Sequence, residues 1–222
     1  LDHRSHILKL PDTYIGSTDK TNDNIWGYSI TGENSEDNSI VFSKENRTYI
    51  PGEYKIFDEI IVNALDQYVR TNENPLSTEK VKNIYININQ DTGEIEVKND
   101  GEGIPIKIHS KEKIYIPELI FGHLLTSTNY DDNKKKHVGG KNGYGAKLAN
   151  IYSVEFYIET SDGKNLYSQM FYDNMSRKDS PKIVKSKIKP YTLIRYKPDY
   201  KRFNLDNITI DMISIMKRRA YD

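Results

Sequence analysis

The chain of 222 residues contains no cysteine. This absence excludes a disulfide framework and any zinc or iron–sulfur site that has cysteine ligands. The formal net charge is zero, from 32 Lys+Arg and 32 Asp+Glu, and this balance argues against a module that binds nucleic acid through a basic surface. No apolar run approaches the ~20 residues that a membrane-spanning helix requires, so we expect no membrane association. A chain of this length can still form a sizeable core, because about 70% of its unfolded surface is buried on folding.

The two ends of the chain suggest a piece of a longer protein. It starts at Leu1 rather than at Met and shows no secretory signal. The last residues, from Met216 to Asp222, are typical of a helix that continues. We therefore expect residues 1–222 to form one domain of a larger protein.

Glycine is sparse outside one stretch of the sequence. Seven of the 13 glycines fall within the 45 residues from Gly101 to Gly145. Glycine is used where the backbone needs a positive φ or a close approach to another group. The concentration therefore predicts a binding site rather than scattered turns.

Hydrophobic periodicity predicts the secondary structure. Helices are predicted at residues 4–10, Glu53–Arg70, Pro117–Thr126, Ala146–Ile151 and Asp206–Tyr221. Strands are predicted at Asn83–Asn89, Ile95–Val97, Val154–Thr160, Leu166–Tyr172, Ile183–Lys189 and Tyr191–Tyr196. The polar stretch 20–49 is predicted to be a loop, within which Ser39–Phe42 could form a strand. This order predicts an α+β fold, a two-layer sandwich of helices on a mixed, mostly antiparallel sheet.

The predicted helix Glu53–Arg70 has two different faces. At 100° per residue, its polar stripe contains Glu59, Asn63, Asp66 and Arg70, opposite an apolar stripe. A solvated surface is the ordinary interpretation of such a stripe. Asparagine, however, is a poor interior helix former, and a carboxylate four residues from an amide can present a proton acceptor and a metal ligand to the same space.

The segment Asn99–Pro105 follows a predicted strand. Asp100 at the strand end precedes Gly101 and Gly103, and its carboxylate could accept a hydrogen bond from an exocyclic amine such as that of adenine. An ordinary turn after a strand is the alternative interpretation.

The segment Gly139–Lys147 leads into a predicted helix. Successive backbone N–H groups at a helix N-terminus form an anion site, and Lys147 adds a positive charge, so phosphate is the expected ligand. The segment is not a Walker A loop, because Ala146 occupies the position where that motif requires lysine, and it lacks the third glycine of a Rossmann fingerprint. A flexible surface loop is the alternative.

Two shorter segments could complete such a site. Ser127, Thr128 and Asn129 offer hydroxyl and amide groups to a ribose or phosphate, although they also suit a helix C-terminus. Ile120 and Phe121 could form an apolar wall for a base, or belong to the core.

Taken together, three of these segments resemble the ATP-binding motifs of the GHKL superfamily. They are Phe57–Ala64, Asn99–Pro105 and Gly139–Lys147. Further segments are similar to the eukaryotic DNA topoisomerase II family. They are His6–Ser17, Tyr115–Asp132 and Arg218–Asp222.

The resemblance implies a Bergerat fold, in which ATP lies between helices and an antiparallel sheet under a glycine-rich lid. It implies that Glu59 is the general base that activates the attacking water, that Asn63 ligates Mg²⁺ bridging the phosphates, and that Asp100 binds the adenine amine. It assigns further ATP-binding roles to a larger set of residues. These are Asp66, Arg70, Ile120, Phe121, Ser127, Thr128, Asn129, Gly140, Lys141, Asn142, Gly143, Tyr144, Gly145, Ala146 and Lys147.

Three positions depart from the family pattern. Gln67 replaces a usual asparagine, Leu65 a usual alanine, and Lys141 a usual arginine. At the last of these a planar, bidentate group becomes a point charge. We expect altered inhibitor contacts rather than a loss of ATP binding.

For the whole protein, the resemblance implies an ATP-dependent type II topoisomerase in the nucleus. ATP binding would close a homodimeric gate, and DNA would be bound through other domains. The family's transducer domain, which supplies a lysine that senses the γ-phosphate, and its DNA-cleavage core would lie outside residues 1–222. We therefore expect these residues to be largely monomeric, to bind ATP and Mg²⁺, and to hydrolyse ATP slowly.

Other functions remain as alternatives at this point. A mismatch-repair or chaperone ATPase shares only the three short motifs, so the segments Pro11–Ser17 and Tyr115–Asp132 argue against it. A nucleotide-gated clamp without turnover would not need Glu59. A DNA-binding module is disfavoured by the zero net charge.

Overall fold

The computed structural model describes residues 2–29, 41–124 and 145–222. The predictions for Ser127–Asn129 and for Gly140–Tyr144 lie outside the described residues. Within these ranges, none of the helices is both long and apolar enough to cross a membrane.

Helices and strands alternate along the chain. The helices are α1 (His3–Lys9), α2 (Pro11–Tyr14), α3 (Pro51–Glu73), α4 (Ile116–Gly122), α5 (Gly145–Ile151) and α6 (Ile210–Tyr221), with a 3₁₀ helix at Tyr200–Phe203. The strands are β1 (Thr21–Ser29), β2 (Val41–Tyr49), β3 (Ile84–Asn89), β4 (Glu94–Asp100), β5 (Ser153–Ser161), β6 (Asn165–Tyr172), β7 (Arg177–Lys178), β8 (Lys182–Lys185) and β9 (Tyr191–Pro198).

The main sheet has the strand order β3-β4-β9-β5-β6-β7, and β8 also pairs with β6. Every pairing among the described strands is antiparallel. The hairpin β3–β4 turns through Asn89, whose side chain accepts hydrogen bonds from the backbone of Asp91 and Thr92, and through Gly93 at φ +70°. The prediction of an α+β sandwich with a mostly antiparallel sheet is confirmed.

The core lies between the helices and one face of this sheet. In β4 and β9 buried and partly exposed residues alternate, so Ile95 and Val97 face the core together with Ile194 and Tyr196. The apolar stripe of α3 packs against that face through a set of buried side chains. They are Ile56, Phe57, Ile60, Ile61 and Ala64.

The prediction of a loop is wrong at residues 21–29 and 41–49. Residues 21–29 and 41–49 form a long antiparallel hairpin, with Thr21 opposite Tyr49. The polar composition of these strands gives no clear strand pattern in the sequence. They are stabilised instead by tertiary contacts with α6 and by a buried arginine. Thr48 N donates to Asp211 of α6 at 2.8 Å, and Arg47, 4% exposed, donates to the backbone oxygens of Ile25 and Ser43.

Several other elements are shorter in the structure than predicted. Helix α4 ends at Gly122, after which His123 takes an extended backbone (φ −129°, ψ 123°). Helix α6 begins at Ile210 rather than at 206, because Thr209 caps it by accepting a hydrogen bond from Met212 N. The predicted strand 183–189 shortens to β8, while β7 and the 3₁₀ helix were not predicted.

Candidate functional site

A cavity of about 360 Å³ lies between α3, α4 and the strands β4 and β9. Its apolar wall comes from both layers of the sandwich, and consists of Ile60, Ala64, Val97, Ile104, Pro105, Ile116, Ile120, Phe121 and Ile194. Its polar lining comes from α3 and from the sheet, and consists of Asn63, Asp66, Gln67, Arg70, Asn99 and Thr192. An apolar cleft with a few convergent polar groups is the usual form of a small-molecule site.

Helix α3 brings three of the predicted residues to this cavity. Asn63, Asp66 and Arg70 all line it. The side-chain N–H of Asn63 donates to the Glu59 backbone oxygen at 2.6 Å, which leaves its amide oxygen as the group that can bind a cation. Arg70 donates to the Gln67 side chain at 2.5 Å, so its guanidinium is held at the rim.

Glu59 lies one helical turn before Asn63, beside the cavity lining. Its side chain is 20% exposed, and Oε1 is 2.5 Å from the ammonium nitrogen of Lys55. Its Oε2 lies so close to Gly145 that a Cβ at that position would overlap it. The structure therefore brings the predicted base on α3 against the first residue of α5.

Two more predicted residues follow Gly145 in α5. Ala146 and Lys147 are both buried, and neither belongs to the cavity lining. Burial lowers the pKa of Lys147 to about 8. A lysine in this environment loses its charge more readily than an exposed one, and a nearby anion would restore it.

The structure places Asp100 outside the lining of the cavity. Its carboxylate accepts hydrogen bonds from the backbone of Lys82 and Asn83 and from the Asn83 side chain, at 2.7 to 2.9 Å. Burial raises its pKa, but the hydrogen bonds from Asn83 and Lys82 outweigh that effect and leave the pKa below its usual value. Asp100 thus secures the segment before β3.

Asn99 takes the place in the cavity that Asp100 was expected to have. It is 5% exposed and shares the core-facing side of β4 with Val97. The residue directly opposite it on β9 is Thr192, which is also buried and also lines the cavity. These two side chains form the polar floor of the cavity, and neither was predicted as a site residue.

Two of the glycines near Asn99 have structural reasons for being there. A Cβ on Gly101, whose φ is +84°, would lie 2.6 Å from the Val81 backbone nitrogen, and a Cβ on Gly103 would overlap the Ser161 backbone oxygen. These glycines allow backbones to pack closely. The interpretation that they bring the backbone near a ligand is not needed to explain them.

The predicted apolar wall is present at the far side of the cavity. Ile120 and Phe121 of α4 both line it. Phe121 is also buried in the core, with its ring 5.9 Å from that of Phe156. Phe121 therefore belongs both to the cavity lining and to the core.

Metal binding by a protein-only cluster finds no support among residues 2–29, 41–124 and 145–222. They contain no group of three or more His, Asp or Glu side chains that could hold a metal ion. A cation at this site would have to be held by Asn63 together with a ligand's own oxygens.

The architecture agrees with comparisons to known proteins. Residues 52–168 match the family of histidine kinase-, DNA gyrase B- and HSP90-like ATPases. This span covers more than half of the chain, which therefore belongs to that family of ATPases.

Within the family, the chain is similar to one group in particular, the eukaryotic type II DNA topoisomerases. It is 50% identical to DNA topoisomerase 2 of Saccharomyces cerevisiae over 221 residues, which is 98% of this chain and 14% of that protein. The crystal structure of the ATPase region of the yeast enzyme superposes with a TM-score of 0.85 at 47% identity, over all of this chain and 56% of that one. The ATPase and transducer domains of the Balamuthia mandrillaris enzyme give 0.83 at 41% identity, over all of this chain and 55% of that one.

Proposed function

We propose that the chain binds ATP with the adenine in the cavity between α3 and the sheet. The observation that carries this proposal is the pair Asn99 and Thr192, two buried polar side chains on an otherwise apolar floor. An amide and a hydroxyl can exchange hydrogen bonds with the polar edge of adenine. The apolar walls, including Ile120 and Phe121, would contact its faces.

The triphosphate would extend from the cavity toward Asn63 and the start of α5. Asn63 presents an amide oxygen there, and oxygen is the ligand that Mg²⁺ prefers, usually alongside water and phosphate oxygens. The residues present therefore fit this ion, with Asn63 as its protein ligand. When bound, Mg²⁺ would neutralise phosphate charge.

Glu59 would act as the general base in hydrolysis. Its carboxylate would take a proton from a water molecule while the water oxygen bonds to the γ-phosphorus. The bond between that phosphorus and the β–γ bridging oxygen would break, giving ADP and phosphate. The half-buried position of Glu59, one turn from Asn63, supports this role.

The remaining predicted contacts complete the proposal. Asp66 and Arg70 would lie at the ribose and phosphate side of the cavity. Ser127, Thr128 and Asn129, together with Gly140 to Lys147, would contact ribose and phosphates as the family resemblance implies.

For the whole protein, we propose an ATP-dependent type II DNA topoisomerase. The relatives to which this chain is similar carry that name, and the chain corresponds to a small part of their length. In this proposal ATP binding closes a homodimeric gate, other domains bind DNA, and the enzyme works in the nucleus.

The binding site is tested by isothermal titration of the protein with a non-hydrolysable ATP analogue and Mg²⁺. Asn99→Ala should weaken binding by ~1–3 kcal/mol, because a polar group of the buried adenine would lose its hydrogen-bond partner. Asp100→Asn is the matched control on the neighbouring residue, and should bind like the wild type. The proposed placement of adenine is refuted if Asp100→Asn loses affinity while Asn99→Ala keeps it.

A further inference from the structure

We propose that Lys55 is a positioning residue that holds the Glu59 carboxylate in its working orientation. This inference rests on the proposed role of Glu59 as the general base. Lys55 lies one turn earlier on α3, and its contact with Glu59 is with the carboxylate itself.

The two oxygens of Glu59 lie against different groups. Oε1 is 2.5 Å from Lys55 Nζ, while Oε2 lies against Gly145 at the start of α5. A carboxylate held on both sides in this way has little freedom to rotate. Removing the ammonium group would free one side while leaving the other in place.

The neighbouring acid does not compete for Lys55. Asp58 is paired with Arg219 of α6, with Oδ1 2.7 Å from Nε. Of the two adjacent carboxylates on α3, Asp58 is thus bound by the C-terminal helix and Glu59 is bound by Lys55.

Helix stability alone gives a weak reason for this pair. Exposed ion pairs at i,i+4 contribute only about 0.3–0.5 kcal/mol, and a lysine that precedes its glutamate is the less favourable order in a helix. Lys55 is 45% exposed, so its charge can be removed without creating a buried defect. A catalytic group displaced by about 1 Å, in contrast, can cost a hundredfold in rate.

The test measures steady-state ATP hydrolysis by the full-length protein that contains this chain. Lys55→Met should lower kcat by about ten- to a hundredfold and leave KM for ATP within about twofold of the wild type. Lys55→Arg keeps the charge and should recover most of kcat. Arg177→Met is the control for the loss of an exposed ion pair, because it removes the pair with Asp173 in the turn between β6 and β7; it should leave kcat unchanged.

Two further measurements separate the possible outcomes. Glu59→Gln should abolish hydrolysis while preserving nucleotide binding; if hydrolysis persists, the proposed base is wrong. If Glu59→Gln is inactive but Lys55→Met keeps its kcat, the positioning role alone is overturned. A raised KM with normal kcat in Lys55→Met would also overturn it, by showing that Lys55 contacts the nucleotide. Titration of Lys55→Met and of Glu59→Gln with the ATP analogue shows that the variants are folded.

Discussion

At the scale of single residues, strand alternation places the adjacent polar side chains of Asn99 and Asp100 on opposite faces of β4. Asn99 therefore lines the cavity, while Asp100 binds the segment before β3. Asn99 follows Ile95 and Val97 at intervals of two, so the buried-face pattern of the sequence already contains its position. The motif alone favoured the carboxylate, since an acid is the more obvious acceptor for an amine. Thr192 was harder to find, because only the pairing of β4 with β9 places it beside Asn99.

Glu53 gives a prediction about pH. It is 1% exposed, neither carboxylate oxygen has a hydrogen-bond partner among the described residues, and burial raises its pKa to about 8. The unfolded chain ionises Glu53 near pH 4.5, while the folded protein keeps it neutral up to about pH 8. With respect to Glu53, the free energy of unfolding is therefore highest below pH ~4.5 and falls as the pH rises toward about 8.

The measurement for Glu53 is urea denaturation of wild type and Glu53→Gln at pH 5 and pH 8. The wild type should lose on the order of 3–5 kcal/mol more than the variant between these values, because glutamine cannot ionise. Glu96→Gln, on the partly exposed side of β4, serves as the control and should follow the wild type. Parallel pH dependence of wild type and Glu53→Gln would contradict the prediction.

At the scale of elements, α3 and the hairpin β1–β2 mark the limits of prediction from sequence. Helix α3 was predicted, as Glu53–Arg70, because 18 residues of helical periodicity form a strong local signal; the structure extends it to Pro51–Glu73. The hairpin was missed because its strands are rich in Asn, Ser and Thr, and contacts with α6 that are distant in sequence stabilise them. Local patterns cannot contain such contacts.

Arg47 gives the prediction at this scale. Its guanidinium lies buried inside the hairpin and donates to the backbone oxygens of Ile25 and Ser43. Arg47→Met should destabilise the protein by about 1–3 kcal/mol, because these oxygens would lose their partners. The fluorescence of Trp26, the only tryptophan in the chain, should report a lower midpoint of unfolding. Lys44→Met, at an exposed position of the same strand, is the control and should leave the midpoint unchanged. Equal shifts of the midpoint for both substitutions would contradict the prediction.

At the scale of the whole molecule, a base is only one of the groups that hydrolysis requires. The transition state also needs groups that stabilise charge on the phosphates. Among the residues that line the described cavity, Arg70 is the cation, and it is hydrogen-bonded to Gln67. The solved relatives contain a further 44–45% of chain beyond the part matched here.

We therefore expect residues 1–222 to bind ATP with Mg²⁺ as a monomer and to hydrolyse it at least about tenfold more slowly than the full-length protein, a barrier difference of ~1.4 kcal/mol or more. Phosphate release under saturating ATP measures this, with Glu59→Gln as the blank for contaminating ATPases. Light scattering during chromatography reports the mass. Fast turnover by the isolated residues would refute the expectation.

The ion pair between Asp58 and Arg219 has a mechanical consequence. It joins the last helix of the chain to the residue directly before Glu59 in the sequence. Helix α6 is also hydrogen-bonded to the β1–β2 hairpin through Asp211 and Ser214. A displacement of that helix would therefore act on Asp58, the residue directly before the proposed base in the sequence.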